Sequence, residues 1–203
     1  MLDLNQVESE KSFSPIKPGE SVKVKLTKVE ITEGGDLDLH FQGVDADNAG
    51  VFKPRFWASD LDPSSDRYNA DKAETKLKHI RQILEAYLDN ETVNKVKGQN
   101  VAEFYNSVAA ALTADKTDVV ATMKLVYKYN SDSICDIPRY GAFISTDFRP
   151  RGLKLRASTD ANGVPYERVL PLSEYNASPD GGAPSAGTFG VETQEEEELP
   201  FGN

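Results

Sequence analysis

The chain has 203 residues, is 38% hydrophobic and 28% charged, and carries a formal net charge of −10. That length fits one sizeable domain plus a tail, or two small domains, and no run approaches the roughly 18 apolar residues that a membrane helix requires. A single cysteine, Cys135, excludes an internal disulfide and a cysteine-based zinc site, and fits a reducing cytoplasm.

Residues 1–19 are polar, have neither a basic segment nor an apolar core, and end in Pro15, Pro18 and Gly19. No signal peptide is expected, and the segment reads as an arm leading into a strand. Residues 20–33 alternate, with Val22, Val24 and Leu26 on one face and Lys23 and Lys25 on the other. Gly34-Gly35 signals a hairpin. Residues 36–43 alternate again, with Leu37, Leu39 and Phe41 inward and Asp38 and His40 outward. After a turn at 45–50, a third strand over 51–58 sets Phe52 and Phe56 against Lys53, Arg55 and Trp57.

The period becomes helical from Asn69, with Leu77, Ile80, Leu84, Tyr87 and Leu88 on one face and Asn69 or Asp71 placed to cap. Lys72, Lys76 and Arg81 lie off that face. A connector with Gly98 leads to Asn100, which can cap a second helix bearing Val101, Phe104, Tyr105, Val108 and Leu112. Residues 119–130 return to strand: Ala121, Met123, Leu125, Tyr127 and Tyr129 face one way, Lys124, Val126 and Lys128 the other. A fifth strand is expected over 139–146, a short edge strand over 153–157 and a last extended piece over 167–172. From Asn176 onward the composition is that of a linker.

Three strands, a helical insert of roughly fifty residues and two or more strands do not make the alternating pattern of a parallel sheet. The order matches a mainly β, α+β fold. That fold is a five-stranded antiparallel Greek-key barrel, the OB-fold, with helices between strands three and four. Another α+β or sandwich arrangement is the alternative. The expected division is a domain over 1–174 and a disordered acidic tail over 175–203. From Tyr175 onward there are six acids and no Lys or Arg, which leaves 27 acids against 23 bases before it. Overall acidity argues against nucleic-acid binding, but charge held in a tail does not count against a groove elsewhere.

Enzymatic signatures are missing. There is no G-x-x-x-x-G-K-[ST] loop and no G-x-S-x-G elbow, and His40 and His79 are the only histidines. Asp36, Asp38, Asp45 and Asp47 suggest metal ligands, but the run from Asp45 to Gly50 lacks a calcium loop's twelfth-position Glu, Phe56 standing there instead. No enzyme, cofactor or metal is expected.

Cations interleaved with rings are the pattern that holds single-stranded nucleic acid, phosphates on the charges and bases on the ring faces. Two stretches have it. Lys53, Arg55 and Trp57 share one strand face, against the alternative that a lone Trp is core. Residues 139–156 hold Arg139, Arg149, Arg151, Lys154 and Arg156 with one acid, Asp147, and with Tyr140, Phe143 and Phe148 between them. The alternative is a solvated face, with Phe143 in the core. Lys124 and Lys128, with Lys23 and Lys25, point outward on strands that would adjoin these in a barrel.

The chain ends Glu195-Glu196-Glu197-Glu198-Leu199-Pro200-Phe201, followed by Gly202 and Asn203. Four adjacent carboxylates cannot bury, so the segment is a solvated tether with an apolar tip. With the strand order, this ending resembles single-stranded DNA-binding proteins of the phage replication type. Bacterial relatives of that kind end in acids and an apolar-Pro-Phe tip, with Phe last; here two residues follow it. The resemblance implies an OB-fold that coats single-stranded DNA without marked sequence preference in replication, recombination and repair. It also implies a tail that recruits partner enzymes and competes for the groove, in the cytoplasm of a bacterial or phage-infected cell. Homo-oligomerisation is left open. Two other classes compete: an acidic interaction or virion protein, including a DNA mimic, and a hydrolase using the Asp-rich region.

Overall fold

The computed structural model describes residues 14–112, 119–129, 131–147, 153–161 and 163–177. Strand β1, Gly19–Ile31, is the spine. Val22, Val24 and Leu26 bury, and then the parity changes so that Val29 and Ile31 take the inner side. The cause is a bulge at Thr27: Leu26 pairs with Phe41 and Lys28 with His40, and Thr27 Oγ1 donates to the His40 carbonyl at 3.0 Å. A bulge bends and twists a strand. β1 can therefore border β2, Leu37–Gly43, along residues 24–31 and β5, Val120–Tyr127, along residues 19–25. The β1–β2 turn closes at Gly35, whose φ of +81° a side chain would strain.

The third expected strand is split at Pro54, which has no N–H to give a ladder. Its halves, β3 (Val51–Phe52) and β4 (Arg55–Phe56), both pair with β2. The fifth expected strand, over 139–146, is reduced to Ile144–Ser145, and a further strand pair forms ahead of its expected start. β6 (Cys135–Asp136) and β7 (Ile144–Ser145) both pair with β5, and residues 137–143 loop between them. Seven strands thus fill five rows in the order β3/β4, β2, β1, β5, β6/β7, every pair antiparallel. The sheet curls into a nearly closed barrel, compatible with an OB-like fold.

Between β4 and β5 run α1 (Ala58–Leu61), α2 (Ala70–Tyr87), α3 (Asn90–Lys95) and α4 (Val101–Ala111). Asn69 caps α2 and Asn100 caps α4, each side chain accepting from the N–H three residues on at 3.0 and 2.9 Å. The expected connector after residue 90 is instead a short helix, α3, capped by Asp89. Ala73, His79, Ile80, Ile83 and Leu84 form the buried face of α2, while Leu77 is 44% exposed. Ile80, Ile83 and Leu84 belong to one core with Phe41, Met123, Leu125 and Phe143, these four all fully covered. No helix among the described residues is long and apolar enough to cross a membrane.

Residues 153–157 and 167–172 do not form strands. They lie against β5 and β1: Lys124 Nζ on β5 donates to the Lys154 carbonyl at 3.0 Å and to Glu167 Oε2 at 2.9 Å, Tyr127 N donates to the Arg168 carbonyl at 2.8 Å, and Leu155 N donates to Glu20 Oε1 on β1 at 2.8 Å. This covering explains why Lys124 and Val126 are buried as well as Met123 and Leu125. A short helix, α5 (Leu172–Ala177), crosses the expected boundary at 174, and the tail from residue 178 onward lies outside the described residues.

Candidate nucleic-acid interface

Pleating places Phe52 and Phe56 in the core and leaves Lys53, Arg55 and Trp57 exposed on the opposite side. A carboxylate organises these cations. Asp38 on β2 is fully covered, and its oxygens accept from Arg55 Nε and Nη2, both at 2.7 Å, and from Lys53 Nζ at 2.9 Å. The fork holds Arg55 so that its guanidinium carbon stands 5.1 Å from the centre of the Trp57 ring; Arg67 stands 5.2 Å from it. Trp57 is 39% exposed, a surface ring flanked by cations.

Burial alone would raise the Asp38 pKa, but the hydrogen bonds from Arg55 and Lys53 outweigh it and hold the carboxyl below its ordinary 3.8. A depressed folded value gives stability that is full above the unfolded pKa and is lost as pH falls through the folded one. Stability is therefore expected to drop below about pH 4, and Asp38→Asn to flatten that drop. Urea denaturation across the acid range checks this; a variant as acid-sensitive as the parent would contradict it.

Beside this cluster, α2 and the 137–143 loop enclose a cleft of about 330 Å³. Arg55, Lys72, Lys76 and Arg139 supply its cations and Asp136 its one carboxylate. His79 also lines it, packing edge-on against Phe143 at 5.3 Å; burial, then neighbouring Lys76, lowers its pKa, so it adds no charge at neutral pH. Gln82 on α2 fixes the loop, accepting from Phe143 N and donating to the Gly141 carbonyl, both at 3.1 Å. Gly141, at φ +80°, turns the chain so that Arg139 and Arg156 both lie over the Tyr140 ring, 5.2 and 5.8 Å from its centre.

A second cleft, of about 530 Å³, shares Asp136, Ile137 and Arg139 with the first. Tyrosines dominate it. Tyr140 and Tyr166 are more than half exposed and Tyr129 is 40% exposed; Tyr129 stacks on Tyr166 at 5.7 Å, and Lys128 stands at the rim. Arg139 thus joins a cation-lined cleft to a ring-lined one. Burial pushes the Cys135 thiol up to about 12, so this thiol is not a nucleophile at neutral pH.

The structure brings Arg55, Arg139, Tyr140 and Lys128 to these two clefts, with Arg156 against the Tyr140 ring but lining neither, and with Lys53 and Trp57 beside the first. Lys154 is exposed but lines neither. Lys124 is a correction. It is 1% exposed, and its Nζ is held by Glu167 Oε2 at 2.9 Å and the Lys154 carbonyl at 3.0 Å, so it cannot reach a phosphate. Alternation placed it outward, and the covering segment then buried that face. Phe148, Arg149 and Arg151 lie outside the described residues, as do Glu195–Glu198 and Leu199-Pro200-Phe201.

Sequence reading missed Lys72, Lys76, Arg67, Tyr129 and Tyr166 as site residues. The i,i+4 spacing of Lys72 and Lys76 on one helix face was the available signal. The chemistry these features define is that of a surface groove offering cations and exposed rings together. No protein-family model, curated protein or solved structure matches the chain.

Proposed function

We propose that the chain is a single-stranded DNA-binding protein, not an enzyme, and that the paired clefts form its groove. The observation that carries this reading is Arg139 as the common wall of a cation cleft and a tyrosine cleft. Phosphates take the cations of one and the rim of the other, and bases stack on Tyr140, Tyr166 and Trp57 without regard to sequence. The row order supports an OB-fold: the strand after the helices returns beside β1, which is the Greek-key order. The acidic Leu-Pro-Phe tail recruits replication or repair proteins and competes for the groove, in the cytoplasm of a bacterial or phage-infected cell.

Titrating the full chain with oligo-dT while following fluorescence of Trp57, the sole tryptophan, tests this at low and high salt. Quenching is expected, with log K falling against log salt at about −0.7 per phosphate held, or about −2 to −4 for the cations along both clefts. Truncation after residue 193 is expected to tighten binding at low salt. No binding at low salt by either form would overturn the reading.

A further inference from the structure

The cation cleft gathers more positive charge than one passing phosphodiester answers. Its cations come from three elements: Arg55 from β4, Lys72 and Lys76 from α2, and Arg139 from the 137–143 loop. Arg55 is engaged with Asp38 through Nε and Nη2. Lys72, Lys76 and Arg139 have no carboxylate partner among the described residues. Asp136, the one acid in the lining, turns Oδ1 to the N–H of Ile137 at 2.8 Å. Lys72 and Arg139 are exposed. Lys76 is half-buried, with Nζ 5.7 Å from the centre of the Phe56 ring. All three cations are therefore accessible to a ligand lying in the cleft.

Like charges brought together repel, and a ligand carrying compact negative charge relieves them. Pro54, Phe56 and Ile137 complete the lining with apolar surface, and a cleft of one charge sign with such walls concentrates its field. A phosphodiester brings one negative charge. A phosphate monoester carries about 1.5 to 2 at neutral pH and offers three strong acceptor oxygens. Donors from α2 on one side and from Arg139 on the other can each take an oxygen in a charge-assisted hydrogen bond. The volume of about 330 Å³ lies at the small end of ligand sites and suits a phosphate with its sugar. Arg139 and Ile137 are shared with the tyrosine cleft, so the base of that nucleotide has a ring surface next to it.

Resting on the reading of the paired clefts as a single-strand groove, we propose that the cation cleft seats the terminal phosphate monoester of a strand, held by Lys72, Lys76 and Arg139. The terminal base then lies on Tyr140, across Arg139 from the phosphate. Binding stays tolerant of sequence, and among strands of equal sequence and length the protein prefers a phosphorylated end to a hydroxyl end.

The test measures binding of the full chain to oligo-dT of about 8 nucleotides, a length one OB-fold can cover, so that the end weighs in the affinity. Four forms are compared: hydroxyl at both ends, 5′-phosphate, 3′-phosphate, and the preferred phosphate capped as its methyl ester. A phosphate at one end or the other is expected to tighten binding about 3- to 20-fold, and the end that gains identifies the polarity of the strand. The methyl-capped form, a diester with one charge, is expected to fall well below the monoester. In the double variant Lys72→Gln with Lys76→Gln the gain is expected to vanish. Lys72→Gln alone, at an exposed position, is expected to shrink it and decides the matter if the double variant does not fold. Equal affinity for hydroxyl and phosphate ends overturns the inference and leaves the single-strand reading standing. A methyl-capped form that binds as tightly as the monoester overturns it too, as does a gain that the lysine variants retain in full. Absence of binding to all four and to long oligo-dT at low salt overturns both readings.

Discussion

Tyr140→Ala is expected to weaken oligo-dT binding about 5- to 150-fold and to leave its salt dependence unchanged. Removing a stacking platform loses on the order of 1–3 kcal/mol per base. Tyr140 is 54% exposed and anchors no core, so folding should be unaffected. Its ring is held by Arg139 and Arg156, and their guanidinium planes extend the surface on which a base can lie. Arg139→Gln provides the contrast. It removes a charge shared by both clefts, so affinity should fall mainly at low salt and the salt slope should shrink by about 0.7. Filter binding or anisotropy at several salt concentrations separates the two signatures. Wild-type affinity in Tyr140→Ala would remove the tyrosine cleft from the groove.

The largest stability effect is expected at a residue that sequence reading placed in the DNA site. Lys124 and Glu167 form an ion pair with side chains 1% and 4% exposed. Removing one partner of such a pair strands the other charge in the interior, at a cost of about 3–5 kcal/mol. Lys124→Met should therefore lower the melting temperature by roughly 6–20 °C for a domain of this size. Lys124→Met combined with Glu167→Leu should recover most of that loss, because an apolar pair of similar volume has no charge to desolvate. Thermal melts of the three proteins measure it. If the single variant melts like the parent, the pair is not buried in solution. The same residues connect stability to the groove, since Glu167 receives the Arg156 N–H and Arg156 lies over Tyr140.

The strand pattern was legible where one face is core and the other is solvent. Val22, Val24 and Leu26, then Leu39 and Phe41, then Phe52 and Phe56, all bury as their alternation predicts. Alternation failed where a second layer lies outside the sheet. Nothing local to Lys124 signals that residues 153–168 will cover β5, because that contact joins segments some 43 positions apart. The Thr27 bulge was visible only as a change of parity after Leu26; the row broken at Pro54 read as one strand over 51–58, and the loop residues 139–143 read as part of a strand over 139–146.

By itself the sequence determined the strand-rich pattern, the helical insert with its Asn100 cap and a first cap narrowed to Asn69 or Asp71, the exposed side of 53–57 and the sorting of acid into the C-terminal residues. These follow from neighbours along the chain, through side-chain period, capping and charge repulsion. Only the tertiary structure decided that Arg55, Lys72, Lys76 and Arg139 face one another and that the rings of Tyr129, Tyr140 and Tyr166 share a cleft. It also decided that the outward-facing Lys124 is covered by residues 153–168. Those outcomes depend on how a bulged strand and a covering segment bring distant residues together, and no spacing along the chain encodes that distance.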